Sequence, residues 1–110
     1  MEKIHFLVQG SAPSPYSVTF TKTKNSLNAI CSCPAGKVGQ YCKHRLRILN
    51  GETEGIVSGN EVEVSIVTSW LVGTDVENAL KIFHEMEEQL ELAKRNFTIS
   101  KKRLTHALMG

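Results

Sequence analysis

The sequence predicts an α+β protein: a small module of β-strands and one helix, followed by a helical C-terminal extension. Three observations lead to this prediction. Residues 16–23 alternate apolar and polar side chains, all three cysteines fall within residues 31–44, and residues 76–107 repeat apolar side chains with a period of seven. Period-two alternation is typical of a half-buried strand, and a period of seven is typical of a long helix with one apolar stripe.

The first fifty residues predict strands and then a helix. "KIHFLV" is a short apolar run, and "YSVTFTKT" places Tyr16, Val18 and Phe20 on one face of a strand. "KTKNS" supplies a hairpin connection, after which residues 27–31 return as a partner strand. Residues 41–49 carry apolar side chains at near-helical spacing, and Asn50-Gly51 is a helix stop signal.

We predict three parts: a module of N-terminal strands and one helix at 1–50, a glycine-containing linker at 51–60, and a helical extension at 61–110. Within the extension, 61–72 is predicted as a short helix, although its apolar residues also alternate as in a strand. Thr74 and Glu77 fit a capping box that begins a long helix at 75–109. Asn96 and the β-branched residues after it are weak helix formers, so the sequence leaves open whether 75–109 forms one helix or two.

The long helix carries a heptad pattern. One set of positions is Val76, Phe83, Leu90, Phe97 and Leu104, and the set three residues later is Ala79, Met86, Ala93, Ser100 and Ala107. Such a stripe predicts a coiled coil, through which the chain forms a homodimer or contacts a protein partner by Phe83, Leu90, Phe97 and Leu104. The alternative is that the stripe packs back on the chain's own 62–71 segment and N-terminal module.

Charge is segregated along the chain. Residues 1–50 carry seven Lys or Arg against one acid, residues 51–92 carry ten acids against one Lys, and residues 93–110 carry five bases and no acid. No apolar run is long enough for an export signal or a membrane span. The odd cysteine count, together with the lack of an export signal, argues against a disulfide framework, so we expect a cytoplasmic protein. We also expect no membrane partner and no small-molecule substrate.

The cysteines belong to the pattern C-x-C-x8-C-x-H, formed by Cys31, Cys33, Cys42 and His44. Zn²⁺ prefers four sulfur or imidazole ligands at tetrahedral corners, and a structural site leaves no corner for water or substrate. Pro34 and two glycines in the intervening loop permit tight turns whose N–H groups face the sulfurs. Ordinary packing of small thiols and redox chemistry are the alternatives. A single structural zinc is the interpretation that we adopt.

The stretch "ICSCPAGKVGQYCKHRLRIL" resembles a SWIM-type zinc finger, whose pattern is C-x-C, a variable spacer and C-x-H. All four ligand positions are matched. The resemblance covers residues 16–50, and it implies a ββα module with two ligands on the hairpin side and two near the helix start. It also implies nucleic-acid binding or protein interaction.

Lys37, Lys43, Arg45 and Arg47 surround the predicted metal site and could contact the phosphates of a nucleic acid, most readily DNA. Tyr41 could stack on a base. The alternative is a solvated basic face that compensates for the thiolates. A protein-interaction adaptor, regulator or inhibitor acting through the C-terminal helix is the second function class. No catalytic residues are assigned, because His5, His84 and His106 are isolated and no catalytic motif is present.

Overall fold

The computed structural model describes residues 1–110, and it has an α+β architecture. Three strands, β1 (Glu2–Val8), β2 (Tyr16–Thr23) and β3 (Ser26–Cys31), come first. Two short helices follow, α1 (Pro34–Lys37) and α2 (Lys43–Leu49), and then a single 3₁₀ turn at Glu61–Glu63 leads into α3 (Val64–Ser69). The last element is α4 (Asp75–Leu108). The predicted fold class is confirmed.

The three strands form an antiparallel meander in the order β1-β2-β3. Phe6 of β1 lies opposite Val18, and Val18 in turn lies opposite Cys31 of β3. The alternation in β2 has the predicted consequence, because Val18 and Phe20 are fully buried while Ser17, Thr19 and Thr21 are only half-buried. This register carries Cys31 to the end of the sheet with its side chain on the buried face.

The hydrophobic core lies between the buried face of the sheet and the helices α2 and α3. Phe6 and Phe20 meet edge to face, with ring centroids 6.1 Å apart, which is a favoured aromatic geometry. Ile48 of α2, Val67 of α3 and Trp70 complete the cluster. The core therefore joins the sheet to both α2 and α3.

The segment predicted as a linker, 51–60, runs along the outer edge of β1. Gln9 N–H donates to the Gly55 carbonyl and Val57 N–H donates to the Leu7 carbonyl, both over 2.8 Å. The Asn60 side-chain amide donates to the His5 carbonyl over 2.9 Å. These bonds satisfy backbone groups that an edge strand would otherwise leave open.

The 61–72 segment is helical rather than extended. The side chains of Asn60 and Glu63 bond each other over 2.8 Å, and no side chain caps the first turn. Val64 and Val67 of α3 are both buried. Val64 and Val67 are three residues apart, so in a helix both can be buried against the sheet and α2. This burial explains why the segment is helical and does not form the alternating strand.

One continuous helix, α4, spans 34 residues and is not broken near Asn96. At its start, Glu77 N–H donates to the Thr74 hydroxyl over 3.4 Å, and the Glu77 carboxylate accepts from Gly73 N–H over 3.2 Å. In a standard capping box the carboxylate accepts from the N–H of the capping residue itself. Here it accepts from the N–H of the preceding residue, Gly73. Contacts divide the chain into two compact units, 1–77 and 78–110. None of the helices combines the length and apolar character needed to cross a bilayer.

Candidate metal centre

Four predicted ligands converge at the junction of the sheet with α1 and α2. Cys31 is the last residue of β3, and Cys33 precedes the first turn of α1. Cys42 precedes α2, and His44 is the second residue of that helix. Two donors therefore come from the hairpin side and two from the start of a helix, and the sulfur and nitrogen atoms of all four lie within 4.8 Å of one another.

The spacing of the donor atoms fits a tetrahedral ion. Cys33 Sγ lies 3.4 Å from Cys42 Sγ, and His44 Nδ1 lies 3.6 Å from Cys42 Sγ and 3.8 Å from Cys31 Sγ. Ligands at zinc–sulfur and zinc–nitrogen distances are separated by roughly 3.6–3.8 Å along a tetrahedral edge. All three cysteines are free thiols, and all four residues are buried. The donor set fits one structural Zn²⁺ held by three sulfurs and one imidazole.

The α1 turn holds the Cys33 sulfur from behind. Gly36 N–H donates to Cys33 Sγ over 3.2 Å, as the sequence predicts for this loop. A Cβ on Gly36 would lie 2.4 Å from the Cys31 carbonyl oxygen, a separation that side chains do not tolerate. Gly36 is therefore needed for space, because it lets the turn lie directly on the end of β3. An N–H pointed at a ligand sulfur stabilises its thiolate.

The imidazole of His44 is oriented by its neighbours. Nδ1 faces the sulfurs, while Nε2 is buried and has no hydrogen-bond partner. The Tyr16 ring lies 5.0 Å from the imidazole, centroid to centroid, and a Cβ on Gly10 would lie 3.1 Å from Nε2. Burial lowers the pKa of His44, and the charges of Lys43 and Arg47 lower it further. The ring is therefore neutral near pH 7, as a ligand must be.

The thiols of Cys31 and Cys42 differ in acidity in the metal-free chain. Burial raises the pKa of Cys31 to about 12. Burial acts in the same direction on Cys42, but the backbone of Arg45 and the thiols of Cys33 and Cys31 outweigh it, so that the pKa of Cys42 lies below its ordinary 9.0. No N–H of α2 makes a full capping bond to Cys42. The backbone N–H groups of Arg45 and His44 are the groups of α2 that favour its thiolate.

The four predicted nucleic-acid-binding residues do not share one environment. Lys37, Lys43 and Arg47 are exposed, and the last two lie one turn apart on α2. Arg45 is half-buried, and its guanidinium donates to the Ala29 carbonyl over 3.2 Å and to the Gln40 carbonyl over 2.6 Å. Arg45 thus ties α2 to β3 and to the loop that carries the ligands, which is a positioning role that spacing alone did not indicate.

The predicted partner-binding residues lie along α4. Phe83 is half-buried, whereas Leu90, Phe97 and Leu104 are 55%, 65% and 63% exposed. The Lys101 ammonium lies 4.7 Å from the centre of the Phe97 ring. No residue of α4 is fully buried. The stripe that the heptad pattern predicts is therefore present on the surface of the helix, and α4 contributes nothing to the donor set.

Two residues beside the donors, Gly10 and Tyr16, were not predicted from the sequence, because Tyr16 was assigned only to a strand face and Gly10 only to a turn. For Gly36, the sequence predicted the N–H that faces a sulfur but not the lack of room for a side chain beside Cys31. The position of Gly10, where a Cβ would meet the Tyr16 ring and His44 Nε2, depends on the fold, so no local pattern indicates it.

Comparison with protein families, curated proteins and solved structures finds no match for this chain. The assignment therefore depends on the residues themselves. The fold and the site define an α+β protein with a buried Cys3His cluster at a sheet–helix junction. The chemistry and spacing of that cluster fit a single structural Zn²⁺.

Proposed function

We propose that this chain is a non-catalytic zinc protein of the SWIM type that binds nucleic acid, with DNA the first candidate. The observation that carries the proposal is the position of three exposed cations on the two elements that hold the ligands. Lys43 stands between Cys42 and His44, Arg47 lies one turn further along α2, and Lys37 ends α1. Lysine and arginine on a rigid surface neutralise phosphates with an affinity that depends on salt.

The SWIM assignment is supported by the C-x-C and C-x-H pairs and by their origin, one at a hairpin end and the other at a helix start. The non-catalytic part of the proposal follows from the ligand count. Four protein donors fill a tetrahedral ion, so that water or substrate has no open corner. Zinc would then act on binding by fixing α1 and α2, and with them the cations.

Arg45 is not among the phosphate contacts that we propose. Its two bonds to backbone carbonyls engage the guanidinium inside the protein, and Arg47 and Lys43 remain as the cations of α2. Tyr41, which is 65% exposed and precedes Cys42, is the side chain best situated to stack on an unpaired base. A binder of this kind recognises backbone charge more than sequence, because no Asn or Gln is arranged to contact base edges.

The test is fluorescence anisotropy with labelled single-stranded and duplex DNA and with RNA, at several salt concentrations. Three phosphate contacts predict a slope of log K against log salt of about −2 to −3, and each of Lys37→Gln, Lys43→Gln and Arg47→Gln should reduce the slope by roughly one. Lys3→Gln is the matched control, since it removes an exposed cation from β1 and should leave the slope unchanged.

Absence of binding to all three nucleic acids at the lowest salt would overturn the proposal. The adaptor function would then take its place. The specific observation that favours an adaptor is the exposed apolar stripe of α4, which is typical of a protein-binding helix.

A further inference from the structure

The C-terminal unit, 78–110, leaves an unusual amount of apolar surface uncovered. Eight large apolar side chains of α4 are more than two-fifths exposed: Ile82, Met86, Leu90, Leu92, Phe97, Ile99, Leu104 and Leu108. Four of these, Met86, Leu90, Phe97 and Leu104, belong to the heptad stripe. An isolated helix gains little stability from propensity alone, and residues 96–100 are poor helix formers. A partner that covers the stripe would supply the missing stability.

The stripe has a shape that suits an antiparallel copy of itself. Large residues occupy one set of heptad positions, while four of the five residues three places later are small, namely Ala79, Ala93, Ser100 and Ala107. In an antiparallel pair, each layer joins a residue of the first set to one of the second set. Every large side chain except Phe97 then faces a small one, which permits close approach of the two helices.

Charge along α4 is self-complementary in the same arrangement. Residues 75–91 carry six acids and one Lys, while residues 94–103 carry five bases and no acid. Antiparallel copies place the acidic half of each helix beside the basic half of the other. Parallel copies would place like charges together, which is unfavourable. A basic protein would match only the first half, and an anionic lipid surface only the second.

We propose that α4 binds α4 of a second copy of this chain in an antiparallel coiled coil centred between residues 91 and 92. In this register Leu90 faces Ala93 of the second copy, Phe83 faces Ser100, and Leu104 faces Ala79. It is the register in which Phe83, Leu90 and Leu104 each face a small residue of the second copy and Phe97 faces Met86. Its centre also falls at the boundary between the acidic and basic halves. The proposal does not depend on nucleic-acid binding.

The first test is sedimentation equilibrium of the full, zinc-loaded chain at about 50 mM and about 500 mM NaCl. We expect a dimer that weakens at high salt, because opposite charges face each other. Leu90→Lys should weaken self-association roughly 30-fold or more, as for a central interface residue. Leu92→Lys is the matched control: Leu92 is 52% exposed against 55% for Leu90, but it lies off the stripe and should leave the dimer intact.

The second test fixes the orientation by zero-length coupling of carboxylates to amines. Glu87 and Lys101 lie fourteen residues apart, or about 21 Å along one helix, so a direct bond between them can form only between chains. We expect this cross-link in the wild-type dimer, and in a mixture of isotopically light and heavy chains it should appear in mixed form. Circular dichroism of each variant checks that α4 is retained.

Three results would overturn the proposal. One is a monomer at all accessible concentrations and at both salt concentrations. Another is equal loss of the dimer in Leu90→Lys and Leu92→Lys. The third is a dimer that tightens with salt and lacks the Glu87–Lys101 cross-link, which would indicate parallel chains.

Discussion

Gly36 and Cys33 are joined by a backbone-to-sulfur hydrogen bond of 3.2 Å, and the same glycine has no room for a side chain beside Cys31. One residue therefore both bonds one ligand and packs on another. This relationship links the fold of the α1 turn to the chemistry of the metal site, and it can be broken by adding a single methyl group.

Gly36→Ala should weaken zinc binding and destabilise the loaded protein by about 1–3 kcal/mol, because the new Cβ meets a backbone carbonyl that cannot move freely. Gly39→Ala is the control in the same loop. Gly39 has open space around it but a φ of 73°, so alanine there should cost only about 1–2 kcal/mol of backbone strain and leave zinc affinity nearly unchanged. Competition with a chromophoric chelator measures both affinities. Equal affinities in the two variants would contradict the role given to Gly36.

Arg45→Ala should destabilise the zinc-loaded protein by about 1–3 kcal/mol, since it leaves the Ala29 and Gln40 carbonyls without their donor. Arg47→Ala removes an exposed cation on the same helix and should change stability by no more than about 0.5 kcal/mol. Urea unfolding at fixed free zinc compares them. If Arg47→Ala proves as destabilising as Arg45→Ala, the assignment of Arg45 as a positioning residue is wrong.

Zinc binding should release protons near neutral pH, because Cys31 is a protonated thiol in the metal-free chain and its pKa is raised to about 12 by burial. The raised pKa stabilises the metal-free fold below pH 9.0, and this contribution is lost as pH rises from 9.0 towards 12. Zinc competes with that proton, so zinc affinity should increase as pH rises from about 6 to about 8. Calorimetry in buffers of different ionisation enthalpy counts the protons. A zinc affinity independent of pH over this range would contradict coordination by thiols that are protonated in the metal-free chain.

A chain ending after His84 should retain zinc binding within about twofold, since all four ligands and the core lie in the 1–77 unit. Zinc content and unfolding by urea are the measurements. Loss of zinc from this shortened chain would mean that residues 85–110 support the metal site.

The sequence was sufficient to predict the sheet, the four donors and the long helix, because each depends on a local pattern. Alternation in β2, the spacing of Cys31 and Cys33, and the heptads of α4 are of this kind. Residues 61–72 were ambiguous, since Val64 and Val67 are helical through burial against other elements. The hydrogen bonds of Arg45 and the position of Gly10 beside His44 depend on distant parts of the chain coming together. No local sequence pattern indicates either of them.

Metal content is the most direct test of the central claim that one Zn²⁺ holds the sheet to α2. Elemental analysis of protein purified without chelator should give one zinc per chain, and Cys31→Ser should lose the metal together with most of the stability. Protein that is well folded and free of metal, or a Cys31→Ser variant as stable as the wild type, would contradict the account.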